Sequence, residues 1–202
     1  TNCYIVSNEE TREAVVIDPG DQGELIVEAL KRDSLQTRAI LLTHGHSDHI
    51  GGLEAVKKAT GAKVYALDQE RELLADENLN LSKSLLGTII REEADVWLRD
   101  GEKFSMIGYE FQVIGTPGHT TGSCCYYVES EKALFAGDTL FEGSYGRVDL
   151  PGGSSVQLLH SVLDKLFELP DDTMVYPGHG DPTTIGHEKI YNPVVPYWKK
   201  NR

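Results

Sequence analysis

Between Leu41 and Gly52 the chain reads LLTHGHSDHIGG, with three histidines and an aspartate inside the six positions His44 to His49. Imidazole and carboxylate groups at that density are metal ligands by chemical type. With no thiolate among them, they suit zinc, iron, manganese or cobalt and argue against a structural cysteine-type zinc site. In an extended loop His44 and His46 point the same way, whereas Asp48 and His49 fall where the chain turns into a helix and face elsewhere. Two ligand directions from one loop imply two metal positions, each still short of ligands.

The missing donors follow a common pattern along the chain. Four hydrophobic runs each stop at glycine, proline or threonine and then deliver a metal-capable residue: AILLT before His44, QVIGTPG before His119, ALFAG before Asp138 and MVYPG before His179. Strands that end this way at one sheet edge bring residues from distant parts of the sequence together on loops. The resulting division gives His44, His46 and His119 to one ion and Asp48, His49 and His179 to the other, with Asp138 bridging them. Three protein ligands and a shared carboxylate leave each ion room for a bridging water, and such water ionises near neutral pH. The resulting hydroxide would attack a carbonyl while the ions stabilise the oxyanion. Asp48, placed to orient that nucleophile, and Asp138 are therefore the candidate catalytic carboxylates. His160 and His187 lie outside the pattern and read as ordinary helix and loop residues.

The elements that must carry these residues are short. Runs rich in β-branched and aromatic residues (CYIV, AVVID, AILLT, AKVYA, YEFQVIG, CCYYV, ALFAG and TMVYPG) are bounded by turn residues and read as strands. Helical spacing covers residues 23–32 and residues 155–167, where Leu158, Leu159, Val162, Leu163 and Leu166 form an apolar stripe. A further helix is expected from about Asp48 to Thr60 and another from Asp68 to Glu77. Helices interleaved with strands imply packed layers of sheet and helix.

Composition narrows the function classes. At 202 residues and 40% hydrophobic content the chain, residues 1–202, suits one well-buried domain. No apolar run reaches the roughly 18 residues of a membrane span. A net charge of -13 repels phosphate backbones, so no nucleic-acid partner is expected, and the one dense basic stretch is the terminal WKKNR. Cys3, Cys124 and Cys125 offer no spaced pair, and adjacent strand residues face opposite ways, so they read as small hydrophobes in a reducing compartment. The chain starts at Thr1 with neither a signal-like segment nor an initiator methionine; the cytoplasm is the default localisation.

The motifs HGHSDH, VVIDPG, TPGHTTGS, FAGDTLF, GRVDL and YPGHGDPTTIG together resemble the metallo-β-lactamase superfamily over nearly the whole chain. That resemblance implies an α/β fold, the αββα four-layer sandwich of two mixed β-sheets flanked by helices, with the metal site along one edge. Within the superfamily the chain looks most like the glyoxalase II group, the hydroxyacylglutathione hydrolases, in their short single-domain bacterial form. Lactamases of the best-known subclass carry cysteine where Asp138 stands, which ranks antibiotics low among expected substrates. Longer glyoxalase II enzymes continue into a glutathione-holding helical domain, whereas only 23 of the 202 residues follow His179. Gly146 to Asp149 and Gly178 to Asp181 also replace two family segments that supply tyrosines. The resemblance makes Asp18 a residue that orients a metal-binding histidine, with a simple turn role as the alternative. Arg147 and Asp149 read as substrate contacts, Arg147 as a planar fork for a carboxylate, or equally as an internal ion pair.

Three functions follow from this reading. The first is a thioester hydrolase of hydroxyacylglutathione hydrolase type with two divalent metal ions, zinc first and iron or manganese next, acting on a small thioester with glutathione as one candidate carrier. A thiol of pKa about 8.5 leaves with little protonation, which suits a site with no evident general acid beyond the ligands. The second is a persulfide dioxygenase with mononuclear iron, which shares the Gly-Arg-x-Asp loop. The third is a non-enzymatic metal-binding scaffold. Oligomeric state is not legible.

Overall fold

The computed structural model describes residues 1–200 and their side chains through Tyr197, so the whole basic run WKKNR lies outside the described side chains. The first half of the chain builds a mixed sheet from β1 (Tyr4–Ser7), β2 (Glu13–Ile17), β3 (Gln36–Leu41), β4 (Lys63–Leu67) and β5 (Val96–Leu98), in that order. Only β1 and β2 are antiparallel; β2 to β5 run parallel. Parallel neighbours need crossovers, and helices α1 (Gly23–Arg32), α2 (Ser47–Ile50), α3 (Leu53–Thr60) and α4 (Arg71–Ala75) lie within those connections. The second half forms β6 (Lys103–Met106), β7 (Tyr109–Gly115), β8 (Cys124–Val128) and β9 (Ala133–Gly137), then a short hairpin of β10 (Leu140–Phe141) and β11 (Ser144–Tyr145). It returns with α5 (Ser155–His160), β12 (Met174–Pro177), β13 (Thr183–Thr184), α6 (Ile185–Tyr191) and α7 (Val195–Lys200). The second sheet has the order β13-β12-β9-β8-β7-β6, with β9 and β12 parallel.

Alternation along the strands explains the four layers. In β2, Ala14 and Val16 join a core with Ile26 and Leu30 of α1 and Leu53 and Val56 of α3, while Val15 and Ile17 face the second sheet. In β8, Cys124, Tyr126 and Val128 fill the space between the sheets, and Cys125 and Tyr127 pack outward with Val162, Leu166 and Ile185. Strands apolar on both faces must be covered on both faces, and the order helix, sheet, sheet, helix does that. The two adjacent cysteines therefore sit in different cores, and both are free.

The eight expected strands are all present. β5, β6, β10, β11 and β13 were not foreseen, because two to four residues carry too little pattern and pair only because their neighbours already exist. Residues 48–60 form two helices rather than one. The chain breaks at Gly51 and Gly52, where the Gly52 N–H donates to Pro19 O at 2.8 Å. Residues 155–167 are helical, but a wide turn (Ser161–Lys165) and a tight one (Leu166–Glu168) follow α5; Asp68 to Glu77 shortens to a tight turn plus α4. His187 lies on α6, not in a loop, and His160 is an exposed partner of Asp164.

Two cross-sheet bonds fix the end of β3. The Tyr126 hydroxyl donates to Leu42 O at 2.9 Å and the Cys124 N–H to Thr43 O at 2.8 Å, just before His44. Tyr126 is fully buried, so Tyr126→Phe is expected to cost about 1–2 kcal/mol of stability, read as a lowered denaturant midpoint with an unchanged slope.

Candidate metal centre

All four punctuated strands end at one edge of the sandwich. His44, His46, Asp48 and His49 follow β3, His119 follows β7, Asp138 follows β9 and His179 follows β12. Ligand atoms of His44, His46 and His119 lie within 4.8 Å of one another, as do those of Asp48, His49 and His179. A third set, His44, His49 and Asp138, meets the same limit, so the two groups are contiguous rather than separate. Asp138 stands between them: Oδ1 is 3.3 Å from His49 Nε2, and Oδ2 is 3.4 Å from His179 Nε2 and 3.5 Å from His119 Nε2.

The site's unsatisfied atoms test whether a cation fits. Nε2 of His44, Nε2 of His49 and Oδ1 of Asp138 are buried and have no hydrogen-bond partner. Buried polar atoms without partners are costly, and a divalent cation satisfies nitrogen and oxygen lone pairs aimed at one another. The outer ring atoms of His44, His49 and His119 are engaged, whereas the outer Nε2 of His46 is buried without a partner. His119 Nδ1 donates to Arg147 O at 2.8 Å, which leaves its Nε2 as the inward lone pair, 2.9 Å from His46 Nδ1. His49 Nδ1 lies 3.0 Å from Asp18 Oδ2, and His44 Nδ1 lies 3.2 Å from the Thr43 hydroxyl. Asp18 in turn accepts from the Thr43 N–H at 2.8 Å and the Thr43 hydroxyl at 2.6 Å. Thus Asp18, at the turn after β2 with a φ of 50°, holds both a histidine and the strand end that delivers His44. The donor set fits divalent metal.

Charge differs between the halves. Burial, with neighbouring imidazoles, drives His44 far below its usual range, brings His46 down to about 3 and lowers His119, so all three are neutral at pH 7. Burial also pulls His49 down, but the carboxylates of Asp18 and Asp138 outweigh it and raise it to about 10. Hydrogen bonds to Asp138 and Asp48 raise His179 to about 9. The same contacts outweigh burial at Asp48 and Asp138 and lower both carboxyls. Before metal arrives, His49 and His179 are therefore protonated at pH 7. Zinc uptake by metal-free protein at that pH is expected to displace about two protons from His49 and His179 on filling the Asp48, His49 and His179 set, in addition to the proton lost by an ionised bound water. Titrations in buffers of different ionisation enthalpy count them; a total below two would contradict the assignment. In the metal-free fold the His49 contribution to stability is complete below its usual value of 6.5 and lost as pH rises through about 10.

Exposure gives the site a direction. His179 and Asp48 keep 45% and 41% of their side-chain surface open, whereas the other five donors are buried, so ligands enter on the Asp48 and His179 side. Arg147 and Asp149 form a two-pronged pair at 2.7 and 2.8 Å on the exposed loop, and it is the Arg147 carbonyl, not its guanidinium, that holds His119.

Two residues escaped the sequence reading. One is Thr43, which links Asp18 to His44. The other is Glu70, buried after β4; burial pushes it up to about 7 against hydrogen bonds from Gly45, Thr120 and Gly122. Its strand, AKVYA, was legible in the sequence, but that β4 lies parallel to β3 and ends at the same edge was not.

The metallo-beta-lactamase superfamily model matches residues 1–179. The chain belongs to that superfamily. A hydroxyacylglutathione hydrolase of Haemophilus influenzae, GloC, is 34% identical over 196 residues, which is 96% of this chain and 92% of GloC. Among solved structures, the B3 metallo-beta-lactamase BLEG-1 superposes with a TM-score of 0.91 at 43% identity, covering 95% of this chain and 92% of that one. TTHA1623 in a di-iron-bound form gives a TM-score of 0.83 at 36% identity, covering 95% and 93%. Among the described residues no helix is long and apolar enough to cross a membrane.

Proposed function

We propose that this metallo-hydrolase cleaves small thioesters and that its donors hold two divalent cations. The observation that carries the proposal is the arrangement of seven donors in two contiguous groups that share Asp138 and open at Asp48 and His179. The likeness to GloC over nearly the full length supports the thioester, and the di-iron form of TTHA1623 supports two ions. Cations bound there supply Lewis acidity and an activated water. The residues of the chain do the rest. Asp48, at the open rim, orients the water by accepting its hydrogen bond. Neutral His44, His46 and His119 offer lone pairs without losing a proton first. Arg147 presents a guanidinium on the exposed loop and exchanges Asp149 for a substrate carboxylate, a contact suited to a carrier such as glutathione. A departing thiolate needs no proton donor at neutral pH, so the commitment of every site histidine to metal costs this reaction little.

The test uses the full chain loaded separately with zinc, iron or manganese. Substrates are S-D-lactoylglutathione, acyl thioesters of smaller thiols, the β-lactam nitrocefin, and glutathione persulfide with oxygen uptake recorded. Thiol release from thioesters with close to two metals per chain and no oxygen uptake supports the proposal. Oxygen consumption with one iron per chain would make the protein a dioxygenase, and nitrocefin as the best substrate a lactamase. Metal binding with no turnover of any substrate would make it a scaffold.

A further inference from the structure

Glu70 closes the tight turn Asp68–Glu70 that leaves β4, and it is 1% exposed. Its carboxylate accepts three hydrogen bonds. Oε1 takes the N–H of Gly45, the residue between His44 and His46, at 2.9 Å. Oε2 takes the N–H of Gly122 at 2.8 Å and the Thr120 hydroxyl at 3.0 Å, both on the loop that begins at His119. One side chain thus joins the two loops that supply every ligand of the first set.

The surroundings are shaped to this contact. A Cβ on Gly122 would stand 2.2 Å from Glu70 N and 2.5 Å from Glu70 Oε2, so no side chain fits where the His119 loop meets the carboxylate. A Cβ on Gly45 would meet Leu74 Cδ2 at 2.8 Å and Leu73 Cδ2 at 2.9 Å, side chains of α4, the helix that follows Glu70. Both backbone segments therefore approach closely and lie in one relative position. A buried carboxylate is tolerated only where donors replace its water, and here three do.

We propose that Glu70 is a positioning residue for metal binding: it sets the His44 to His46 loop against the His119 loop, so that three imidazole nitrogens face one point before any cation arrives. No hydrogen bond of Glu70 reaches the second set, in which Asp48, His49 and His179 are held through α2, Asp18 and β12. The inference rests on the first ligand set as a metal site and not on the choice of thioester.

Glu70→Gln keeps the shape but turns one oxygen into a donor that must face Gly45 N–H or the Gly122 and Thr120 donors. Zinc affinity is titrated against a competing chelator, and His46→Ala and His179→Ala assign the two binding steps. Glu70→Gln is expected to weaken the first-set step about 10–100-fold and leave the second unchanged, with altered visible absorption when cobalt fills the first set. Thr120→Val, which removes one of three donors, should weaken the same step less, and Thr120→Ser should restore it; this pair carries the test if Glu70→Gln does not fold. Unchanged titration of Glu70→Gln would overturn the proposal. So would equal weakening of both steps with a lowered denaturation midpoint, which marks a merely structural role. Absence of zinc binding by the wild-type protein would remove the site reading as well, and is distinguishable because it appears before any substitution.

Discussion

Asp138→Asn is expected to lower kcat/KM for the best substrate by about 10³-fold, which corresponds to roughly 4 kcal/mol of lost transition-state stabilisation. Asp138 follows β9 at the centre of the donor cluster, with one oxygen toward His49 and the other toward His119 and His179. Asparagine preserves volume and backbone but replaces a divergent anionic pair of donors with one neutral carbonyl and an amide nitrogen that cannot ligate. Both halves of the centre therefore lose charge compensation together, and metal content should fall below that of the wild type at a zinc concentration that saturates the wild type. Elemental analysis alongside steady-state kinetics checks the link. Wild-type stoichiometry with a large loss of kcat would move Asp138 from holding metal to a purely chemical role, and unchanged kinetics would remove it from the site.

Gly178→Ala should reduce kcat about 10²-fold although no donor is altered, because roughly an ångström of displacement at a reacting centre costs that much. Gly178 precedes His179, and its N–H donates to Gly137 O at 2.7 Å, which locks the end of β12 to the end of β9. A Cβ there would lie 2.2 Å from Asp138 Oδ1 and 2.8 Å from His49 Cε1. Neither neighbour can move aside freely, since both are buried and His49 Nδ1 is tied to Asp18. Asp138, His49 or the strand end must shift, and the second set of donors shifts with it. Circular dichroism should show an intact fold while zinc binding to the Asp48, His49 and His179 set weakens. Wild-type kcat and affinity would show that this end of the sandwich yields more readily than its packing implies.

The two substitutions separate what was legible from what was not. Asp138 could be named from its residue type and from the strand and glycine before it, because ligand chemistry and turn punctuation are local properties. The close approach behind Gly178 was not legible, since it depends on β12 pairing in parallel with β9 across the intervening hairpin and α5. Glu70 shows the same division. Its strand was recognised, but which loops its carboxylate reaches follows from β4 lying beside β3 and from the two sheets packing face to face. Arg147 was recognised as a fork, and the structure shows its guanidinium on Asp149 while its backbone carbonyl serves the metal centre.

By itself, then, the sequence determined the donor types, the strands that end in them and the two-faced apolar alternation that demands four layers. These depend on residue chemistry and on periods of a few residues. Tertiary structure decided that the two donor groups touch through His44, His49 and Asp138, that the centre opens at Asp48 and His179, and that Glu70 lies beneath both loops of the first set. Those outcomes depend on the order and register of strands distant in the chain, which no local pattern encodes because they are fixed by the joint packing of three cores.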